Sequence, residues 1–468
     1  LTKEEWAQVD SIFASLDPKR KTDLAIISRG HKDFTLNNDR TVLAIKTGER
    51  PFLIDSITSW LADEKRIVER LLYTDADGQI ALIYITLNGS TPAAQCRAME
   101  KTLQSILHDV ILATTDWQTM LERLQETHGM LKSLPRDKAD KSCPMAEYLD
   151  FLTYIQKGNF TLLGYREYDL KQTKSSVTSK IRKGRGLGLL SDERGPVFIS
   201  ESKEGLTQDL QKLRFSGPIL SVVKVNRKAT VHRRVPLDAI FIKEFNKKGD
   251  VVGERLFIGL FTSVTYSRSV SDVPLLRHKV KQVTKKSGFI DNSHEYRALS
   301  HILEKYPRDE LFQLDTQTLL SFSLDILKLQ ERPQVGLFTR VDPFRRYISC
   351  LTYVPRERYS TAYRMRMAEI LEQGFDGVAE GFNTTLDDSP LGRILFTIRV
   401  RQKAKTNYDV EAIENQLIEA AETWAEKLDN ALHKQGFGDD EATKIVTRYG
   451  TAFPAAYQHQ YDAATAIT

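Results

Sequence analysis

Three glycines in the run KGRGLGLL, Gly184, Gly186 and Gly188, are the chain's best candidates for a phosphate-binding turn. Such a turn binds a dinucleotide when it follows a buried strand and begins a helix, because the helix amides then meet the pyrophosphate. Here the spacing is G-x-G-x-G and the preceding residues are polar, so we interpret the run as a turn or a flexible loop. The sequence predicts neither a cofactor-binding site nor a catalytic residue in this chain.

Two histidines in the run HEYRALSH, His294 and His301, come closest to a metal-binding pair. A helix presents two histidines to one metal ion when they are about four residues apart, as in the zinc proteases. The wider spacing here favours exposed or interfacial side chains, so we predict no metal site.

The segment TGERPFLIDS (47–56) joins a predicted strand to a predicted helix and is the first candidate for effector binding. The start of a helix leaves backbone N–H groups without partners, which favours a carboxylate there. The loop resembles the strand–helix junction of ACT domains, small amino-acid-binding modules in which it commonly reads Asp-Arg-Pro-Gly-Leu. Phe52 stands where that pattern has glycine, so a purely structural use of the same fold is the alternative. The candidate residues are Glu49, Arg50, Pro51 and Asp55.

The second candidate lies in GLFTRVDPFRRYISCLTYVPRERYSTAYRMRM (336–367). Apolar and polar residues alternate up to Val354, which predicts half-buried strands, and a helix is predicted from Ser360. We treat this stretch as the counterpart of the first candidate. Its candidate effector-binding residues are Arg340, Asp342, Arg345 and Arg346.

A basic cluster occupies strand-like segments in the middle of the chain. Alternation would place part of it on one solvated edge, where cations discourage unwanted strand pairing. Polyanion binding is the alternative. The cluster comprises Lys224, Arg227, Lys228, His232, Arg233 and Arg234.

The composition indicates several globular domains. A chain of 468 residues is too long for one core, and 41% hydrophobic with 28% charged residues is ordinary for a globular protein. The net charge of +5 gives no reason to expect a nucleic-acid or membrane partner. Three cysteines, Cys96, Cys143 and Cys350, fit a reducing cytoplasm. No apolar run approaches the ~20 residues that a membrane helix needs.

The predicted elements indicate an α+β fold built from ferredoxin-like βαββαβ modules joined by helical segments. In the first module, DVILATTDW (109–117) is expected to close the sheet as its fourth strand. We also expect a strand at ATVHRRV (229–235), a loop over 170–186 and one long amphipathic helix over 409–434. The predicted divisions are a helical lead-in (1–40), an ACT-like domain (41–117), a helical connector (118–158), a strand-rich ACT-like domain (159–290), a second connector (291–334), a third ACT-like domain (335–435) and a helical segment leading to further domains (436–468).

Residues 336–367 resemble a stretch of the very large NAD-specific glutamate dehydrogenases of bacteria. RPFLIDSI, NFTLLGYREYDL and FPAAYQHQYDAATAI add to the resemblance. The family implies NAD-dependent oxidation of glutamate to 2-oxoglutarate and ammonium, homo-oligomers, and control by metabolites through ACT-like N-terminal domains. No Gly-Gly pair of the family's substrate site is present in this chain.

The resemblance therefore implies a cytoplasmic N-terminal regulatory and assembly region whose catalytic domain lies outside this chain. NAD would be the cofactor of the parent enzyme, and this segment would bind none. The expected partners are its own catalytic domain, further copies of the chain, and an amino-acid or nucleotide effector. A free-standing amino-acid-sensing or scaffold protein is the alternative.

Overall fold

The computed structural model describes residues 3–17, 19–28, 39–76, 78–135, 143–172, 177–191, 217–246, 248–401 and 407–467. Several small antiparallel sheets are combined with helices, which confirms the predicted α+β class. The chain separates into two compact units, residues 1–282 with 306–313 and residues 283–305 with 314–468.

The first unit begins with a four-stranded sheet in the order β1-β2-β4-β3. Apolar side chains alternate faces along its central strands, so the sheet has two apolar surfaces to cover. Ala44 of the second strand lies opposite Ala25 on one side and Tyr84 on the other. The elements are α1 (Lys3–Ser15), β1 (Asp23–Ile27), β2 (Arg40–Gly48), α2 (Leu53–Asp63), β3 (Val68–Ala76), β4 (Ile80–Asn88) and α3 (Ala93–Thr115).

Helices cover this sheet on both faces. On one face, Val9 and Ile12 of α1 pack in a cluster with Val42 and Ala44 of β2. Leu43 of β2 points to the opposite face and is fully buried, as is the apolar side of α2. The helix therefore contributes its spaced apolar residues to a closed core, as the pattern over 53–61 predicts.

The predicted fourth strand over 109–117 is wrong, because residues 93–115 form the single helix α3. The buried residues of α3 recur every three or four positions, which is the period of a helix face. The edge position beside β2 is taken instead by β1, whose residues lie in the stretch that we expected to be helical. The order of elements is thus ββαββα rather than βαββαβ.

The second sheet of this unit is larger and has the order β6-β5-β10-β9-β8, with a short β7 also paired to β5. Its long central strands carry near-continuous apolar runs and are buried along most of their length. Phe151, Phe261 and Phe312 contact one another at its core. The elements are α4 (Trp117–Lys132), α5 (Met145–Tyr154), β5 (Phe160–Gln172), β6 (Val177–Ile181), β7 (Leu187–Gly188), β8 (Leu220–Lys228), β9 (Pro236–Phe245), β10 (Val251–Phe261) and α6 (Ser263–Ser267).

Two local predictions in this sheet are wrong. Residues 229–235 are a loop rather than a strand, because the β8–β9 pairing shifts register between Lys224 and Lys228 and the chain then leaves the ladder. Residues 177–181, expected in a loop, form β6 against β5. The adjoining Arg182 bonds to carboxylates of β5, which secures this polar edge strand.

The remaining elements comprise further helices of both units and one four-stranded sheet of the second unit, in the order β11-β12-β14-β13. The elements are α7 (Leu276–Lys286), α8 (His294–Lys305), α9 (Arg308–Gln313), α10 (Thr316–Glu331), β11 (Gly336–Val341), β12 (Tyr347–Pro355), α11 (Thr361–Gly374), β13 (Gly377–Thr385), β14 (Leu391–Val400), α12 (Val410–Ala421), α13 (Trp424–Lys434), α14 (Asp439–Tyr449) and α15 (Ala455–Gln460). This sheet, like the first, follows the order ββαββα and has its first strand at the edge beside the second.

The core of the second unit lies between this sheet and helices α11 and α12. Ile394 and Phe396 of β14 pack in one cluster with Met367 of α11 and Leu417 of α12. On the other side of the sheet, the ring of Phe338 lies 5.2 Å from that of Phe322 in α10.

The predicted long helix over 409–434 is wrong, because it is divided into α12 and α13. Thr423 accepts a bond from the Glu426 amide while Glu426 accepts one from the Thr423 amide. This reciprocal capping box starts a new helix at a position where apolar periodicity alone would continue the old one.

Candidate functional site

The first candidate site is the junction between β2 and α2, residues 48–53. The Glu49 amide donates to the Gln79 carbonyl in the β3–β4 turn at 2.9 Å, so the chain stays beside the sheet after the strand ends. Phe52 then takes a left-handed conformation with φ 70° and starts the helix. Glycine adopts such a positive φ more easily than other residues do, and glycine is the residue that the ACT-domain pattern has at this position. Phe52 therefore has the backbone conformation expected from that pattern, although its side chain differs.

The polar residues of this junction are engaged within the protein. Glu49 accepts a hydrogen bond from the Tyr73 hydroxyl. That bond raises the pKa of Tyr73 to about 12. Arg50 donates to the hydroxyls of Thr114 and Thr115, at 3.2 and 3.1 Å, near the end of α3. Glu49 and Arg50 therefore point to different elements, and Pro51, which follows them, is exposed.

Asp55, in the first turn of α2, contacts the 229–234 loop of the six-stranded sheet. Its carboxylate lies 3.0 Å from Nδ1 of His232. The imidazole ring also lies 5.0 Å from the ring of Phe52. The structure thus brings Asp55 together with a neighbouring loop rather than with the other three candidates.

Part of the basic cluster lies on a solvated edge, because Lys224, Arg227 and Lys228 belong to β8, the edge strand of the six-stranded sheet, and the side chains of Arg227 and Lys228 are 56% and 53% exposed. Each member of the cluster also has a partner within the first unit. Three of them meet acids of α2 and α3: Lys228 and Arg234 contact Asp63 at 2.7 and 3.1 Å, and Arg227 contacts Asp109 at 3.4 Å. The bond from Lys228 lowers the pKa of Asp63. Arg233 donates to the Phe261 carbonyl at 2.7 Å. The positive charge is largely compensated within the first unit.

The last member of the cluster, Lys224, lies among acids beneath helix α9. Its Nζ is 2.7 Å from Asp238 and 3.1 Å from Asp309. Burial alone would lower the pKa of Lys224, but the two carboxylates raise it well above its usual value. Burial raises the pKa of Asp238 to about 6, against the opposing effect of Lys224. The ion pairs of Lys224 attach α9 to the six-stranded sheet.

The second set of candidates lies at the β11–β12 turn. Asp342 is fully buried and accepts two bonds from Arg346, at 2.7 and 2.8 Å, and a third from the Phe344 amide. Arg345 has a left-handed φ of 55°, and Arg340 lies on β11 opposite Ser349. Asp342 and Arg346 therefore stabilise the turn.

This turn is not the counterpart of the first junction, contrary to our expectation. The equivalent strand–helix connection is residues 355–361, between β12 and α11. There the Arg356 amide donates to the Pro390 carbonyl of the β13–β14 turn at 2.9 Å, as Glu49 does to Gln79. Ser360 caps the helix by accepting from the Tyr363 amide at 3.1 Å.

A cleft of about 520 Å³ opens at this second junction. The Arg356 guanidinium donates to the Asp387 carbonyl at 2.7 Å on one side of the connection. In the sequence, this site is marked by prolines at two strand ends, Pro355 and Pro390, and by Arg-Glu-Arg between β12 and α11. We missed it because we took the β11–β12 turn as the counterpart of the first junction. The cleft is lined by Pro333, Pro355, Arg356, Glu357 and Pro390.

The glycine run lies in a tight turn, as interpreted from its sequence. A Cβ on Gly186 would lie 2.2 Å from the Leu190 carbonyl oxygen, which explains glycine there. The Gly188 amide donates to Asp116 at 2.7 Å. The turn leads into β7, which pairs antiparallel with β5, so it does not begin a helix.

The histidine pair lies on α8. Among the described residues, no group of three side chains could hold a metal ion. None of the helices in the residues that the structure describes is both long enough and apolar enough to span a membrane.

Three segments of the chain match family models of glutamate dehydrogenase. Residues 336–425 match the ACT2 domain, residues 273–332 match helical motif 1, and residues 431–468 match helical motif 2. The ACT2 match covers the sheet of the second unit together with four of the five residues that line the cleft, all except Pro333.

Relatives extend this similarity to most of the chain. A protein named NAD-specific glutamate dehydrogenase from Halomonas elongata is 31% identical over 449 residues, which cover 91% of this chain and 28% of that protein. Proteins of the same name from Pseudomonas aeruginosa and Mycobacterium tuberculosis are 31% and 28% identical over 82% and 83% of this chain. In each of the latter the match covers 23% of the relative.

The chain thus spans about a quarter of the length of these relatives. The family models and the long matches to relatives all indicate glutamate dehydrogenases. The chain therefore belongs to the large NAD-specific glutamate dehydrogenase family, to whose N-terminal region it corresponds.

Proposed function

We propose that this chain is the regulatory and assembly region of an NAD-dependent glutamate dehydrogenase, and that the catalytic domain lies outside it. The parent enzyme would convert glutamate, NAD and water to 2-oxoglutarate, ammonium and NADH. The much greater length of the relatives supports a separate catalytic part.

The observation that carries this proposal is the strand pairing. Every strand pair among the described residues is antiparallel. A dinucleotide is usually bound at the glycine-rich turn of a parallel βαβ unit, where a helix N-terminus faces the pyrophosphate. The three sheets described here do not offer that arrangement, so hydride transfer would take place elsewhere in the parent enzyme.

We also propose that the two four-stranded sheets are ACT-like modules. A ferredoxin-like sheet pairs its first strand with the third and fourth strands, which are antiparallel to it. In both sheets here a strand preceding the module, β1 or β11, occupies the position of the fourth strand. The likeness in layout supports the same use, namely the binding of an amino-acid or nucleotide effector at a strand–helix junction.

The second junction is the better candidate for that effector. Its cleft holds the cation of Arg356 and the anion of Glu357 beside proline surfaces. An amino acid carries a carboxylate and an ammonium group, which such a pair of charges can recognise. Calorimetry against a panel of amino acids and nucleotides tests this, and the Arg356→Ala variant is the control that identifies the site.

Self-association is the second part of the proposal. Strand β13 is an edge strand of nine residues without lysine, arginine or proline, and its Phe382 is 52% exposed. A bulge between Ala379 and Gly381 and the charge of Glu380 protect the first part of this edge, so pairing with another strand would use residues 382–385. The apolar face of α12 does not support self-association, because Ile413 and Leu417 are buried within the unit. Light scattering should show an oligomer at high concentration, and a monomer would contradict this part.

The catalytic part of the proposal has a direct test. Purified chain mixed with glutamate and NAD should produce no NADH above the rate without protein. Robust turnover would refute the proposal. The alternative, a free-standing cytoplasmic amino-acid sensor, would be favoured if a stop codon followed Thr468 in the gene.

A further inference from the structure

The cleft at the second junction carries one positive and one negative side chain. Arg356 and Glu357 are exposed, and in the part of the chain that the structure describes neither side chain has an ion-pair partner. They occupy successive positions of one 3-10 turn, and adjacent positions of a helical turn do not face each other. Arg358, the next residue, is paired with Glu426. Both charges of the cleft therefore remain available to a ligand.

The remaining walls of the cleft are three prolines, Pro333, Pro355 and Pro390. A proline ring is apolar, its backbone φ is fixed, and it has no backbone N–H to donate. The Pro390 carbonyl already accepts the Arg356 amide at 2.9 Å. The walls therefore offer a ligand a rigid apolar surface, and a rigid surface loses little conformational entropy when a ligand binds.

The charge balance of the lining residues distinguishes classes of ligand. One cation and one anion sum to zero, which matches the carboxylate and the ammonium of an amino acid whose side chain is neutral. A charged side chain would bring a third charge, and its loss of water would find no counter-charge in the lining. Nucleotide phosphates carry several negative charges and are usually bound by groups of cations or by helix N-termini. Here a single arginine is opposed by a glutamate.

We infer that the second junction selects an α-amino acid with an uncharged, apolar side chain, whose carboxylate pairs with Arg356 and whose ammonium pairs with Glu357. The apolar side chain lies against the proline walls. The volume of about 520 Å³ is within the ~300–1,000 Å³ of small-molecule sites, so a branched or aromatic side chain has room. This inference rests on the proposed effector function and narrows it from amino acids and nucleotides to one class of amino acid.

A ligand series tests the selectivity by calorimetry of the intact chain. We expect leucine to bind about tenfold more tightly than alanine, because its side chain removes more apolar surface from water. Aspartate, lysine and ADP should each bind at least about tenfold more weakly than leucine. Leucinamide lacks the carboxylate and N-acetyl-leucine lacks the ammonium charge, so each should lose about tenfold in affinity relative to leucine.

Two variants assign the charges of the ligand to the two side chains. Arg356→Gln should weaken leucine binding about tenfold but leave leucinamide binding unchanged, because leucinamide has no carboxylate. Glu357→Gln should weaken leucine binding to a similar extent but leave N-acetyl-leucine binding unchanged. The matched controls are Arg366→Gln and Glu369→Gln, which alter an exposed ion pair of α11 outside the cleft lining. Both controls should bind leucine as the wild type does.

The possible failures are distinguishable. If aspartate, lysine or ADP bound more tightly than leucine, and Arg356→Gln or Glu357→Gln abolished that binding, the apolar selectivity would be overturned while the proposed effector function stood. Leucine binding that neither variant weakened would place the ligand elsewhere and would overturn the inference as well. Absence of binding by every compound of the series would overturn the proposed effector function, and this inference with it.

Discussion

The two four-stranded sheets share one strand order but differ at their strand–helix junctions. At the first junction, Arg50 bonds to the end of α3 and the 229–234 loop covers the first turn of α2. At the second junction, a cleft of about 520 Å³ remains open beside Arg356. One fold thus supports two uses: the first junction serves contacts within the chain, and the second remains accessible to a small molecule.

The comparison also shows that the same residue types have different roles at the two junctions. Both junctions contain Glu-Arg, as Glu49–Arg50 and Glu357–Arg358. In the first, both side chains bond within the module. In the second, Arg358 pairs with Glu426 at the start of α13. A short motif therefore does not decide function, because the neighbouring elements determine which charges remain available.

The largest expected effect is on the free energy of unfolding, and it compares the buried Asp342–Arg346 pair of the β11–β12 turn with the partly exposed Asp55–His232 contact of the first junction. Asp342→Ala should destabilise the second unit by about 3–5 kcal/mol, because it leaves the Arg346 guanidinium buried without its counter-charge. Asp55→Ala, which breaks a partly exposed contact, should cost less than about 1 kcal/mol. Urea unfolding followed by circular dichroism measures both. Similar losses in the two variants would contradict the assignment of Asp342 to a structural role.

The next effect tests the difference between the open and the covered junction. Arg356→Ala should weaken the binding of an amino-acid effector by about 1.5–3 kcal/mol, the usual loss of a bond to a charged group. Arg50→Ala should leave that binding unchanged, because Arg50 bonds to α3. Calorimetry with the ligand identified from the panel gives both values. A loss confined to Arg50→Ala would reverse our assignment of the two junctions.

A smaller effect concerns pH and compares two aspartates of the first unit. Burial raises the pKa of Asp238 to about 6, so the folded chain holds a proton that the unfolded chain releases above pH 3.8. Its contribution to stability is therefore lost as the pH rises toward 6. The bond from Lys228 lowers the pKa of Asp63, so its contribution is present above pH 3.8 and is lost as the pH falls further.

Thermal unfolding between pH 3 and 7 checks these opposite signs. Asp238→Asn should remove the decline between pH 4 and 6, whereas Asp63→Asn should reduce the loss below pH 4. If Asp238→Asn left the decline unchanged, another group would have to be responsible for it.

The smallest expected effect is a change in the pKa of Tyr73, which is measured by spectroscopy. Tyr73 should ionise near pH 12, because its hydroxyl bonds to Glu49. In the second unit, the Tyr359 hydroxyl contacts the Thr384 hydroxyl instead of a carboxylate. Glu49→Gln should return the pKa of Tyr73 toward 10, measured as the ultraviolet difference from the Tyr73→Phe variant. An unchanged titration would mean that Glu49 and Tyr73 are not bonded in solution.

The sequence predicted those features that local patterns determine. The apolar face of α2 over 53–61 follows from the spacing of its apolar residues, and it is found. The turn at Gly186 was also identified correctly, because its polar approach did not fit a buried strand. These features depend on residues near one another in the chain.

The predictions from sequence failed where contacts between residues far apart in the chain determine the structure. Residues 109–117 can form either a strand or a helix by composition, and β1 takes the edge that they would have filled. The acidic partners of Arg227, Lys228 and His232 were not predicted, because Asp109, Asp63 and Asp55 lie more than a hundred residues away in the chain. The cleft was missed since Pro355 and Pro390 meet only after the sheet forms.

Binding of NAD to the purified chain tests the central claim most directly. Isothermal calorimetry with NAD, in the presence and absence of glutamate, should show no saturable heat, because the antiparallel sheets offer no dinucleotide turn. Stoichiometric binding of NAD at micromolar affinity, accompanied by closure over glutamate, would contradict the account.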